Sequence, residues 1–94
     1  MRNQIFYQVY SITMKEIMSI ISDVAEMDTK EITPDSNLVK DLGINSIKAI
    51  EIIVAIEKKY KVSIRDEDVP KVTTPGQIIS LTESLITKRA MSNA

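Results

Sequence analysis

The chain has no cysteine, no histidine and no tryptophan among its 94 residues, and it contains only two glycines and three prolines. Without cysteine there is no disulfide framework, no thiolate metal site and no thiol redox motif. Without histidine there is no Ser–His–Asp triad, no imidazole ligand and no imidazole acid–base group. Carboxylates, lysines, tyrosines and hydroxyls remain, an inventory that suits a carrier or binding module better than an enzyme. An excess of one charge is also missing: 12 Lys+Arg stand against 13 Asp+Glu, a net of −1. That balance argues against a nucleic-acid partner, which calls for a basic patch. No apolar run reaches the ~18 residues needed to span a bilayer. The apolar stretch Ile5-Phe6-Tyr7-Gln8-Val9-Tyr10 has no small-residue cleavage site, so it makes a poor secretion signal. A cytoplasmic protein is expected. At this length one domain is the natural reading, and the apolar content of 44% is ordinary for a globular one.

What is present is helical periodicity. Over residues 14–27, Met14, Ile17, Ile20, Ile21 and Val24 fall on one stripe. Thr13 stands where an N-cap would, with Glu16 three residues on. Residues 28–43 lose the period and contain Pro34 and Gly43. They read as a long loop that Ile32, Leu38 and Leu42 anchor, since a loop of this length needs buried side chains to stay ordered. A second helix is predicted from Asn45 or Ser46 to about Tyr60, capped by Asn45 after a turn at Gly43. Its core face is Ala49, Ile52, Ile53, Ile56 and Tyr60, with Ile50 at the boundary. Arg65-Asp66-Glu67-Asp68-Val69-Pro70 reads as one helical turn stopped by Pro70. Thr74-Pro75-Gly76-Gln77 opens a last helix with a buried stripe of Ile78, Leu81, Thr82, Leu85 and Ile86. No strand alternation appears. The expected fold is all-α: a small bundle of three main helices plus a short one, with a long loop between the first two.

The stretch with chemical promise is Asp41-Leu42-Gly43-Ile44-Asn45-Ser46-Ile47. A serine that opens a helix after a glycine turn is exposed and lies near the positive end of the helix dipole, where a phosphate ester would be favoured. Ser46 could equally be a plain polar residue beside a cap, because serine is common at helix starts. The adjacent acids Asp66, Glu67 and Asp68 read as a solvated helix start, since they lack the spaced oxygen ligands of a calcium loop. No metal-ligand set and no catalytic constellation emerges.

Taken together, Asp41-Leu42-Gly43-x-Asn45-Ser46-Ile47, then Glu51, Glu57 and Tyr60, resembles the acyl carrier protein family, whose attachment motif reads Asp-Leu-Gly-x-Asp-Ser-Leu. The resemblance extends upstream to Pro34-Asp35-Ser36-x-Leu38 and downstream to Ile64-x-Asp66-Glu67-Asp68 and Thr73-Thr74, without a gap over residues 14–87. It implies that a phosphopantetheinyl transferase, using coenzyme A, joins Ser46 to 4′-phosphopantetheine. Asp41, Gly43 and Asn45 are the supporting motif. The terminal thiol of the arm then carries an acyl group as a thioester, which fits a chain without cysteine or histidine because the sulfur belongs to the arm and catalysis to partners. The resemblance further implies a monomer served by acyl-loading and acyl-transfer enzymes, with residues 1–13 as an extension, 14–87 as the carrier domain and 88–94 as a tail. Phe6, Tyr7 and Tyr10 of the extension would be costly to expose fully, so packing on a groove or a neighbour is expected.

On the second helix Ile47, Glu51, Val54 and Lys58 share a ridge facing away from the core. Family resemblance places partner contacts there, at Ile47, Lys48, Glu51, Val54 and Lys58, with Asp66 on the short helix. Two residues depart from the family pattern. Asn45 replaces an aspartate that helps the magnesium site of the transferase, and Lys48 stands where an acidic residue is common. The helix holds Lys48, Lys58 and Lys59 against Glu51 and Glu57, although residues 14–87 as a whole carry 13 acidic and 9 basic side chains, a net of −4. These departures point to a specialised lipid, fatty-acid or polyketide pathway rather than housekeeping fatty-acid synthesis. A peptidyl or aminoacyl carrier and a helical docking module without an arm are the alternatives.

Overall fold

The structure, a computed structural model, describes residues 2–92, with side-chain surroundings from Ile12 to Met91. Helices α1 (Arg2–Ala25), α2 (Ser46–Tyr60) and α3 (Pro75–Ser92) are joined by long connections that hold 3₁₀ segments at Thr29–Glu31 and Asp66–Lys71. No strand occurs among the described residues. This is the expected small helical bundle with a long first loop.

The ends of α1 differ from expectation. Thr13 is no N-cap; it lies inside the helix and is only 3% exposed. No proline or glycine interrupts residues 2–13, and Thr13 sits at i−4 and i−8 from the fully buried Ile17 and Ile21, so it continues their stripe. The side chains of Phe6, Tyr7 and Tyr10 lie outside the described ones. At the other end, α1 stops at Ala25 instead of Met27. Glu26 turns into the left-handed region (φ 57°), and the Met27 amide donates to the Ser22 carbonyl at 3.1 Å. That is the 6→1 bond of a Schellman ending, made here without glycine.

α1 packs against both α2 and α3. The wedge between α2 and α3 is filled by the connections, whose Ile32, Leu38, Leu42, Ile44 and Ile64 join Ile17, Ile21, Ile52, Ile56, Ile78 and Ile79 in one core. The three anchors expected in the first loop are all buried. Two clips tie that loop to the start of α3. The Leu38 amide donates to the Thr73 carbonyl at 3.0 Å, and the Gly76 amide donates to the Pro34 carbonyl at 2.9 Å. A Cβ on Gly76 would stand 3.0 Å from that same carbonyl oxygen, so any larger residue there would have to push the Pro34 carbonyl back by a few tenths of an ångström.

Other expectations are corrected in detail. Ile79, left out of the expected stripe of α3, is 1% exposed; it stands three residues before Thr82 and seven before Ile86, on the edge of the same stripe. Leu81, Leu85 and Ile86 are only half-buried. The Thr74 hydroxyl accepts from the Gln77 backbone amide as expected, but the Gln77 side-chain Oε1 accepts from Thr73, from its amide (2.6 Å) and its hydroxyl (3.0 Å). Pro70 does not stop its short helix, which runs to Lys71. The bonds that define the segment run from Asp68 to Arg65 and from Val72 to Val69, so the missing proline N–H breaks neither.

One polar lock joins α1 to α2. The Tyr60 hydroxyl donates to the Glu16 carboxylate at 2.8 Å, and Lys59 pairs with the same carboxylate at 3.2 Å. Hydrogen bonding from Tyr60 holds the Glu16 carboxyl below its ordinary pKa, and the neighbouring Lys59 adds to this, while burial raises the Tyr60 phenol. A carboxyl held low when folded contributes stability above its unfolded pKa and loses it as pH falls through the folded one. Tyr60→Phe should therefore cost about 1 kcal/mol at neutral pH, a charge-assisted bond discounted for solvent screening. Urea unfolding in parallel should show the two proteins converging as the pH drops below the carboxylate range.

Candidate functional site

The site is built where the first loop meets α2. Gly43 adopts φ 65°, a left-handed turn that lets the chain reverse between the buried Leu42 and Ile44. Asp41 closes the preceding turn: its carboxylate accepts from the Asn37 amide at 2.7 Å, and its own amide donates to the Asn37 carbonyl at 2.8 Å. The Asn37 side chain in turn accepts from the Lys40 amide at 2.8 Å. Asn45 caps α2, its side-chain oxygen accepting from the Lys48 amide at 2.9 Å. Ser46 is then the first residue of the helix and is exposed. The turn and the cap thus set the serine at the rim, at the positive end of the α2 dipole.

Beside Ser46 opens a groove of about 470 Å³ between the first loop, α2 and the second connection. Asn37, Lys40, Asn45 and Thr73 give it a polar mouth, while Leu38, Val39, Ile44, Ala49, Val69 and Val72 give it an apolar wall. A cavity of about 40 Å³ lies inward of it, sharing Leu38, Ile44, Ala49, Val69 and Val72 and adding Ile52, Ile53 and Ile78. A polar tether at the rim and an apolar cargo further in would each meet a matching wall.

The exposed face of α2 carries Ile47 (69% exposed), Glu51, Val54 (40%) and Lys58 as the periodicity required. Ile50, placed at the boundary by sequence, joins this face at 62% exposure, making three apolar side chains on one ridge beside Ser46. Lys48 is half-buried on the flank of the ridge, and Asp66 is exposed at the start of its short helix while Val69 and Pro70 reach the groove from the other end. Glu57 is drawn away from this surface, its carboxylate accepting from the Ile64 amide at 2.9 Å. Asp68 is held by Arg65 at 3.2 Å and Lys71 at 3.8 Å, and Glu67 by Arg65 at 3.3 Å. Sequence reasoning missed Val39, Val69 and Val72 as groove residues; they stand in segments without a period, and only the folded connections bring them to Ser46.

A family profile described as "Phosphopantetheine attachment site" matches residues 15–81. An acyl carrier protein of Helicobacter pylori strain J99 is 32% identical over 69 residues, which cover 73% of this chain and 88% of that protein. One from strain G27 is 33% identical over the same extent. The chain belongs to the acyl carrier protein family. The carrier therefore works with 4′-phosphopantetheine, the covalently attached prosthetic group of the family, and holds acyl groups for partner enzymes instead of catalysing a reaction itself. No helix among the described residues is long and apolar enough to cross a membrane.

Proposed function

We propose that Ser46 bears the arm and that this carrier serves a dedicated acyl pathway rather than housekeeping fatty-acid synthesis. The observation that carries the first part is an exposed serine at the N-terminus of α2, set by the Gly43 turn and the Asn45 cap at the mouth of a groove with an apolar wall. Lys40 and the free end of the helix dipole would favour the phosphodiester, and Leu38, Ala49 and Val69 would shield the arm and the first carbons of a cargo. The arm supplies the thiol on which an acyl group is held; the chain supplies its orientation and partial cover from water. Coenzyme A and a broad-specificity phosphopantetheinyl transferase should add one arm to the wild type, read by intact mass, and none to Ser46→Ala. A chain left unmodified by several transferases would instead favour a docking module.

The second part rests on charge. The exposed Ile47, Ile50 and Val54 offer a docking enzyme an apolar grip beside Ser46, flanked by Glu51 and Lys58 and, at its edge, by Lys48. An enzyme that brings Arg or Lys to meet an acidic residue at position 48 would face a like charge, which is an effective way to reject a partner. The net of −4 over residues 14–87 still draws basic partners from a distance. In this reading residues 14–87 form the carrier domain, it works as a monomer in the cytoplasm, and Asp66 extends the contact surface.

A further inference from the structure

The end of the bundle opposite Ser46 has a chemistry of its own. Glu16 meets Lys59 and Tyr60, so α1 passes the last turn of α2 at residue 16. Thr13 is still buried and Met14 still packs on the core, so the stretch that runs on past them is residues 2–12, about 16 Å of helix at 1.5 Å per residue. α3 ends near the same level: Arg89 donates to the carbonyls of Tyr60 and Lys61, at 3.1 and 2.9 Å, and only three residues of the helix follow. The start of α1 therefore outruns both neighbours. A helical stretch this short is marginal in water by itself, since most helical stability comes from covering an apolar face.

The sequence register describes that face. Phe6 and Tyr10 precede Ile17 and Ile21 at i, i+4, i+11 and i+15, the same stripe; Ile5, Val9 and Ile12 widen it on one side, Gln4, Gln8 and Ser11 form a narrow polar strip, and Arg2 and Asn3 interrupt the apolar face only at its tip. Three of the four aromatic residues of the chain lie within positions 6–10. Ile12 and Met91, at this same end, are 57% and 73% exposed. The charge here is one-sided. No acidic residue precedes Glu16 or follows Glu83, and Lys15, Lys58, Lys61, Lys88 and Arg89 are all exposed around the helix ends. Glu16 is already paired with Lys59, and Glu57 accepts the Ile64 amide.

We propose that this end docks on an anionic lipid surface, with the start of α1 lying in the interface and the lysines and Arg89 meeting the headgroups. A broad apolar helix face next to a basic cluster supplies the two signals that reversible membrane association takes. A second copy of the chain is a poor occupant, because pairing these ends would bring two basic clusters together. Docking this way leaves Ser46 about 22 Å away, one length of α2, facing the aqueous side.

Flotation of the full chain with phosphatidylcholine vesicles, with and without phosphatidylglycerol, tests this. Binding should occur only with the anionic lipid and should fall with salt. Lys61→Gln with Lys88→Gln should weaken it roughly thirtyfold, at about 1 kcal/mol per basic residue. Phe6→Ser with Tyr10→Ser should weaken it at least about tenfold, while transferase modification of Ser46 stays at the wild-type level. Equal binding to neutral vesicles, or no binding to the anionic ones, would overturn the proposal, and a dimer in sedimentation velocity would name a second copy of the chain as the occupant instead.

Discussion

Ile21→Ala should lower the stability of the carrier by about 3 kcal/mol and its melting temperature by roughly 12–24 °C, the largest thermal effect expected of a single substitution here. Ile21 is fully buried on α1, the helix that packs against both α2 and α3. Deleting three carbons at this point opens a cavity in the shared core, and Ile52, Ile56 and Ile79 of that core are themselves nearly fully buried and have little room to collapse into it. Domains of this size have total stabilities of only about 5–15 kcal/mol, so such a loss is a large share of the whole. Ile47→Ala, on the exposed ridge of α2, should change stability by less than about 0.5 kcal/mol. Differential scanning calorimetry of the two variants would separate core from docking surface, and equal losses would mean that the ridge is part of the core.

The double variant Asn45→Asp with Lys48→Asp should raise both arm attachment and acyl loading by generic fatty-acid enzymes, each by about tenfold or more. A charge reversal at contact distance is worth on the order of 1–2 kcal/mol at a partly exposed surface. Aspartate at position 45 keeps the capping oxygen that now accepts the Lys48 amide, so the start of α2 should stay as it is while gaining a negative charge beside Ser46. Kinetics of the transferase and of a loading enzyme, measured on the double variant and on each single one, would show which substitution acts on which step. If the wild type already matches a housekeeping carrier in both assays, the reading of a dedicated pathway is wrong.

Much of this was legible in the chain, for identifiable reasons. The stripe of Ile17, Ile21 and Val24 and the ridge of Ile47, Glu51, Val54 and Lys58 follow from a period of 3.6, which a sequence displays directly. Gly43, Asn45 and Thr74 announced a turn and two caps because each does something few other residues can. The misses lie where local rules yield to packing. Thr13 looks like a cap in sequence and is a buried stripe residue, since nothing upstream stops α1. Glu26 and Lys61 both take left-handed conformations at helix ends with no glycine to signal them. Val39, Val69 and Val72 reach the groove only through the path of the connections. The use of Glu57 to hold Ile64 was equally hidden, because a side chain reaching across a turn into the next segment leaves no period to read.

Above all, Ser46 is expected to carry the arm in the living cell. The most direct measurement is mass spectrometry of the carrier purified from its own cells, digested and fragmented so that each modification is placed on a residue. One 4′-phosphopantetheine is expected on the peptide that contains Asn45-Ser46-Ile47, on Ser46 itself, with an acyl group that hydroxylamine releases in the manner of a thioester. A chain that bears no arm there, or bears it on another serine, would contradict the account.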